Sequence, residues 1–270
     1  MYVNLSKKFI TKNLLPYLSQ SHLGRKTKVP LWRILKAIIY RLKSGCQWRE
    51  LPISAFCSRI LITWNSVYYH FNKWSKDGSW KKMWTHLLIL NKAQLDMSSV
   101  QFDGSHTLAK RGGEAVAYQR RKKAKTTNAL FLTDKQGLPL AMSEPIDGNH
   151  NDLFEIEIFF TKILADLKES KIEVEGLFLN ADGGFDSEGF RTLCDANDII
   201  PNIDFNKRNS KNTDNQPLLD HELYKERFSV ERTNAWIDAF KALLIRFETK
   251  SSNWMSLHYL AFSLILIRNQ

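Results

Sequence analysis

Gly176-Leu177-Phe178-Leu179-Asn180-Ala181-Asp182 decides how the larger part of this chain folds. The run is too short for a helix, opens on glycine and stops at an aspartate followed by Gly183-Gly184. It therefore reads as a buried strand that delivers a carboxylate at its end. Outward from it the same pattern recurs. Val100-Gln101-Phe102-Asp103 starts an earlier strand that carries Asp103. Ala129 to Thr133 reads as a second strand closed by the turn Lys135-Gln136-Gly137, and Leu138 to Ser143 as a third, antiparallel to the second. Asn151-Asp152 is expected to cap a helix over Leu153 to Leu167. Beyond Asp182 a helix is expected over Ser187 to Ala196 and a fifth strand over Ile199 to Phe205. Residues 206–221 are polar and read as a mobile loop. One long helix is expected from Tyr224 to Glu248, and a last helix from Trp254.

Three strands, then helix, strand, helix, strand, helix is the order of the ribonuclease-H-like fold. The expected class is therefore α/β, a mixed sheet flanked by helices. Residues 1–95 differ. Leu31, Ile34, Leu35, Ile38 and Leu42 recur at helical spacing after Pro30. Trp64, Val67, Tyr68, Phe71 and Trp74 form a second stripe, and Trp80, Met83, Trp84, Leu87 and Leu88 a third, past the break at Asp77-Gly78. Three short amphipathic helices suit an all-α, helix-turn-helix-like N-terminal module. The polar face of the second, with Asn65, Tyr69, Asn72 and Lys73, suits a DNA groove or plain solvent equally well. The expected division is a helical DNA-binding module over 1–95 and a catalytic domain over 96–270.

The chain of 270 residues is 43% hydrophobic, enough for a sizeable core. Lys and Arg number 39 against 28 Asp and Glu, a net charge of +11. Such an excess points to a polyanion, nucleic acid first, because neutralised phosphates release counterions. Arg120, Arg121, Lys122, Lys123 and Lys125 crowd the segment between the first two strands, where a DNA-backbone clamp is the favoured reading. The 3 cysteines are scattered and make neither a disulfide framework nor a zinc pair. No signal peptide is read in Met1 to Asn13, and Leu257 to Ile267 is too short to span a bilayer. A cytoplasmic protein working on DNA, with no membrane partner, is expected. His106, His150 and His221 lack the spacing of a zinc hydrolase.

Asp103 on the first strand, Asp182 past the fourth and Glu231 on the long helix are places that converge in this fold. Three carboxylates suit two-metal phosphoryl transfer, with two Mg²⁺ about 4 Å apart activating the attacking oxygen and stabilising the leaving one. Mg²⁺ (or Mn²⁺) prefers such oxygen donors. Each residue also has a plainer reading. Asp103 and Asp182 suit turns, and Glu231 suits a surface pair with Arg227. Asp186 is a rival to Asp182 or a cap for the following helix.

Leu42-Lys43-Ser44-Gly45-Cys46-Gln47-Trp48-Arg49-Glu50-Leu51-Pro52, Phe102-Asp103-Gly104-Ser105, Gly148-Asn149-His150-Asn151-Asp152, Ala181-Asp182-Gly183-Gly184-Phe185-Asp186-Ser187 and Tyr224-Lys225-Glu226-Arg227-Phe228-Ser229-Val230-Glu231 together resemble DDE transposases of bacterial insertion sequences, of the insertion-sequence-five family. The resemblance runs from about Lys28 to Glu248. It implies that Asp103, Asp182 and Glu231 are the catalytic metal ligands and that Tyr224 and Arg227 position DNA or Glu231. It implies cleavage of DNA at the ends of an insertion sequence, joining of the 3′-hydroxyl ends to target DNA, and a homodimer or higher assembly on DNA. Gly183, Asn234 and Asp238 depart from the family's pattern. Lys241, one turn beyond Asp238 on the expected helix, is a substitute DNA contact. A catalytically inactive, transposase-derived DNA-binding protein and a plain metal-dependent nuclease are the alternative readings.

Overall fold

A computed structural model describes residues 5–20, 27–57, 62–206 and 218–269. After short helical turns between Lys7 and Tyr17 come α1 (Leu31–Ser44), α2 (Trp64–Lys76) and α3 (Ser79–Asn91). Then follow β1 (Val100–Ala109), β2 (Ala117–Gln119), β3 (Ala124–Asp134), β4 (Pro139–Met142), β5 (Ile146–Asp147), α4 (Ile156–Glu169), β6 (Phe178–Ala181), α5 (Glu188–Asp195) and β7 (Ile200–Ile203). The chain ends with α6 (Ser229–Asp238), a helical turn at Lys241–Leu244, a short strand at Ile245–Arg246, and α7 (Ser251–Arg268). Two compact units result. The first takes Met1–Leu87, Lys110–Gly113 and Ile237–Gln270, and the second takes Leu88–Ala109 and Glu114–Trp236.

In the first unit, α1 starts after Pro30 and stops at Gly45, whose φ of 67° lets its N–H reach the Arg41 carbonyl at 2.9 Å. A Cβ there would also sit 3.0 Å from the Lys241 backbone. Helix α7 is buried on every side from Trp254 to Leu266 apart from Met255, the mark of a helix at the centre of a core. It packs against α1 and α2, with Phe262 edge-on to Trp84 at 5.6 Å.

The second unit is a mixed sheet of order β2-β3-β1-β6-β7, with β4 and β5 also paired to β3. β1 and β3 run antiparallel, while β1, β6 and β7 run parallel. Three antiparallel strands continued by two parallel ones, with helices between, is the ribonuclease-H-like fold expected from the element order. Two side-chain rows set its register. On one face Phe102 stacks among Phe160, Phe185 and Phe190, with centroids 4.9 to 5.7 Å from its own. In the other row Asn180 donates to Gln101 at 3.0 Å and Asn202 to Asn180 at 2.8 Å, all three buried. A one-residue slip would break both rows at once.

Four expectations are corrected. The helix expected over Tyr224 to Glu248 is not continuous. It opens as a helical turn (His221–Tyr224) and a 3₁₀ turn (Lys225–Phe228) and breaks again after Asp238, where Phe240 is extended at φ −89°, ψ 96°. The units bury different parts of it, Val230 and Thr233 in one core and Phe240, Ala242 and Leu243 in the other. The apolar residues at helical spacing along it, Val230, Ile237, Phe240, Leu244 and Phe247, therefore do not share one helix face. Lys241 accordingly begins a new helical turn and is not one turn on from Asp238. Asn151-Asp152 does not cap α4, whose N-cap is Glu155 in a left-handed conformation at φ 48°. Ser187, not Asp186, caps α5, since its side chain accepts from the Phe190 N–H. Most of the loop expected over 206–221 lies outside the described residues. Its last residue but one, Asp220, caps the His221–Tyr224 turn.

Candidate active site

Phe102 of β1 pairs in parallel register with Ala181 of β6. The residues that follow, Asp103 and Asp182, thus stand at neighbouring positions where β6 ends. Alternation points Phe102 into its aromatic cluster and turns Asp103 away from it. Burial is the main influence on Asp103 and pushes its carboxyl up to about 7. The Gly104 N–H opposes that rise, Asp182 and Asp152 add to it by repulsion, and Arg227 pulls back. These five groups are electrostatic neighbours. Asp182 also accepts from the Gly184 N–H at 2.8 Å and so caps the turn that follows β6. Its plain turn role and its place beside Asp103 hold together.

Asp152 is the member that the sequence reading passed over. Its Oδ1 accepts from Asn128 Nδ2 at 2.7 Å. A Cβ on Gly104 would come within 2.2 Å of that same oxygen, so glycine beside Asp103 is what lets Asp152 approach. The available signal was a carboxylate inside Gly148-Asn149-His150-Asn151-Asp152, which looked like a helix cap. Asp186 leaves the group, for its Oδ1 takes Arg191 Nε at 2.8 Å.

The segment carrying Tyr224, Arg227 and Glu231 is anchored by ties to the sheet. Glu226 accepts from Ser99 Oγ at 2.6 Å and pairs with Lys135 at 3.0 Å. The buried amide row reaches it from both ends. Gln101 donates to Ser99 at 2.9 Å, and the Asp220 N–H donates to Asn202 at 2.8 Å. Gly137, at φ +84°, brings the β3–β4 turn against α6, where Arg232 donates to the Gln136 carbonyl at 2.9 Å and Thr233 to that of Gly137. Arg227 lies 5.6 Å over Tyr224 and 5.2 Å over Phe228. Its Nε is buried without a hydrogen-bond partner among the described residues. Glu231, in the first turn of α6, is exposed and is not among the charges that act on Asp103. Among the described residues no three His, Cys, Asp or Glu side chains form a metal-holding group.

The basic segment forms a hairpin. Ala117–Gln119 pairs with Ala124 to Thr126, and Arg120 to Lys123 are exposed at its tip. Lys122 Nζ reaches the His106 carbonyl at 2.8 Å, and Lys125 is exposed on β3. In the first unit, Asn65, Tyr69, Asn72 and Lys73 share one side of α2. Tyr69 is 61% exposed, and it lines a shallow recess with Asn72 and Lys73.

The family whose description is "Transposase DDE domain" matches residues 94–266. The chain belongs to the DDE transposases. A second family, "Putative transposase of IS4/5 family", matches residues 10–84 of the transposase. No curated protein matches its sequence. Among solved structures, the transposase is similar to the Mos1 strand transfer complex at 10% identity, over 93% of this chain and 81% of that one, with a TM-score of 0.35. It is similar to a Mos1 paired-end complex with the left transposon end at 9% identity, over the same 93% and 81%, with a TM-score of 0.31. No helix among its described residues is long and apolar enough to cross a membrane.

Proposed function

We propose that this transposase cuts DNA at the ends of an insertion sequence and joins the freed 3′-hydroxyls to target DNA, with Asp103, Asp182 and Glu231 as its metal-holding carboxylates. The observation that carries the reading is the pair Asp103 and Asp182, each following the registered pair Phe102 and Ala181 on adjacent parallel strands, with burial and repulsion by Asp182 raising Asp103. Carboxylates pressed together in this way favour a hard divalent cation, Mg²⁺ or Mn²⁺, two ions in this proposal. Such ions, when bound, supply charge that acidifies an attacking water and neutralises the phosphoryl group.

The chain's own residues do the rest. Arg227 presents an unsatisfied N–H and a positive charge beside the aspartates, suited to a phosphate oxygen. Tyr224 flanks it. Arg120, Arg121, Lys122, Lys123 and Lys125 hold the DNA backbone, and Lys241 adds a further contact. Residues 1–95 serve as the end-binding module through Asn65, Tyr69, Asn72 and Lys73, and 96–270 as the catalytic domain. Two ends joined together call for at least a dimer on DNA, in the bacterial cytoplasm.

The test mixes the chain with DNA carrying the repeats that flank its gene and a target plasmid, with and without Mg²⁺. Asp103→Ala is expected to abolish nicking and joining, on the order of a thousandfold or more for a lost site charge, and to leave DNA binding nearly intact. Cleavage by that variant would refute the assignment. A second reading, DNA binding without cleavage, is favoured by the exposure of Glu231 on α6. Binding without any product in Mg²⁺ or Mn²⁺ would uphold it.

A further inference from the structure

The first unit contains a cleft of about 740 Å³, within the size range of small-ligand sites. Arg41 lies in its wall at 4% exposure. Its Nη2 pairs with Glu248 at 2.9 Å, and its guanidinium lies 5.1 Å over the Trp48 ring. Its Nε and Nη1 are buried and have no hydrogen-bond partner among the described residues. Buried donors left unmade on a cation are destabilising, so they point to a group that completes them. Burial lowers the pKa of Arg41, with Glu248 opposing, as the same desolvation requires.

Trp48, Trp64 and Tyr68 line the cleft and are only half-buried. Trp48 and Tyr68 meet edge-on at 5.2 Å, and Trp48 is itself covered by Arg41 and by Phe71 at 5.0 Å. Exposed Arg49 lies 5.6 Å over Trp64, and exposed Arg111 and Glu50 also line the cleft, so that with Arg41 paired to Glu248 its charge stays positive. Trp64 and Tyr68, four residues apart, share one side of α2. Asn65, Tyr69 and Asn72 lie on the adjacent side, so the cleft is distinct from the recess described above.

An occupant must be flat enough to stack, rich in acceptors for Arg41, and negative enough for Arg49 and Arg111. An unpaired nucleotide has all three properties. A base inside a duplex has not, because its neighbours cover both of its faces. We propose that this cleft binds an unpaired nucleotide of a DNA strand, stacking the base against Trp64 and Tyr68 beside Trp48 and meeting its acceptors with Arg41. The proposal rests on the reading that the chain acts on DNA, and it adds a site for single-stranded DNA that the carboxylates do not supply.

The full chain would be titrated with a short oligodeoxythymidine and, separately, with a blunt duplex, following tryptophan fluorescence and anisotropy. The oligonucleotide is expected to quench tryptophan emission. Trp64→Ala and Arg49→Gln are each expected to weaken its binding about tenfold, while duplex binding changes little. Trp64→Phe should restore most of the loss, which separates stacking from folding. Single-strand binding that is absent, or indifferent to both variants, while the duplex still binds would overturn the cleft and leave the DNA reading standing. A chain that binds no duplex but binds the oligonucleotide in a Trp64-dependent way would uphold the cleft and sink the reading of duplex ends.

Discussion

His258 shows what one side chain inherits from its place in the core. It is fully buried on α7, donates through Nδ1 to the Trp254 carbonyl at 3.0 Å, and lies 4.2 Å from the Trp254 ring. Burial pulls its pKa down to about 4. The Trp254 hydrogen bond opposes this and nearby Arg246 reinforces it. Above an ordinary histidine pKa of about 6.5 the ring is neutral in both the folded and unfolded chain. Below it the unfolded chain takes the proton first, so stability is lost as pH falls from about 6.5 toward 4, by about 3 kcal/mol. His258→Leu should flatten that part of the curve. Urea melts at matched pH values check this, and parallel curves for the two proteins would show that His258 is not the cause. Gly104 is a second case at this scale. Nothing in Phe102-Asp103-Gly104-Ser105 says that the glycine exists for Asp152, because the carboxylate that fills its missing side chain arrives from a distant part of the chain.

The amide row is a device of whole elements. Gln101 on β1, Asn180 on β6 and Asn202 on β7 link three strands and reach the turns that carry Tyr224 and Arg227, through Ser99 to Glu226 and through Asp220. Asn180→Leu would leave Gln101 Oε1 without this donor inside the core, costing about 2 to 3 kcal/mol. Amide exchange over residues 218–228 should quicken more than exchange in α4. Equal acceleration in both would mean that the row only adds stability and does not anchor the segment. α6 shows the limit of periodicity at this scale. Val230, Ile237, Phe240, Leu244 and Phe247 keep helical spacing, yet Phe240 is extended, and Leu244 and Phe247 are 49% and 48% exposed. The spacing recorded two local helices and a break, which a single window cannot separate.

Over the whole molecule the dominant feature is the charge of +11. Counterion release makes DNA binding fall with salt by about 0.9 in log-log slope per phosphate contact. Replacing Arg120, Arg121, Lys122 and Lys123 together by Gln should make the slope shallower by roughly 3 to 4. An unchanged slope would remove the hairpin from the DNA interface. By itself the sequence determined the main strands and helices of the sheet unit, the buried terminal helix and the family, because these rest on local hydrophobic spacing and on contiguous motifs. Only the tertiary structure decided that Asp152 joins Asp103, that Asp186 turns away to Arg191, and that Arg41 is buried with donors unmade. Each of these depends on which distant residues share a small volume, and burial and electrostatics act through that shared volume, not along the chain.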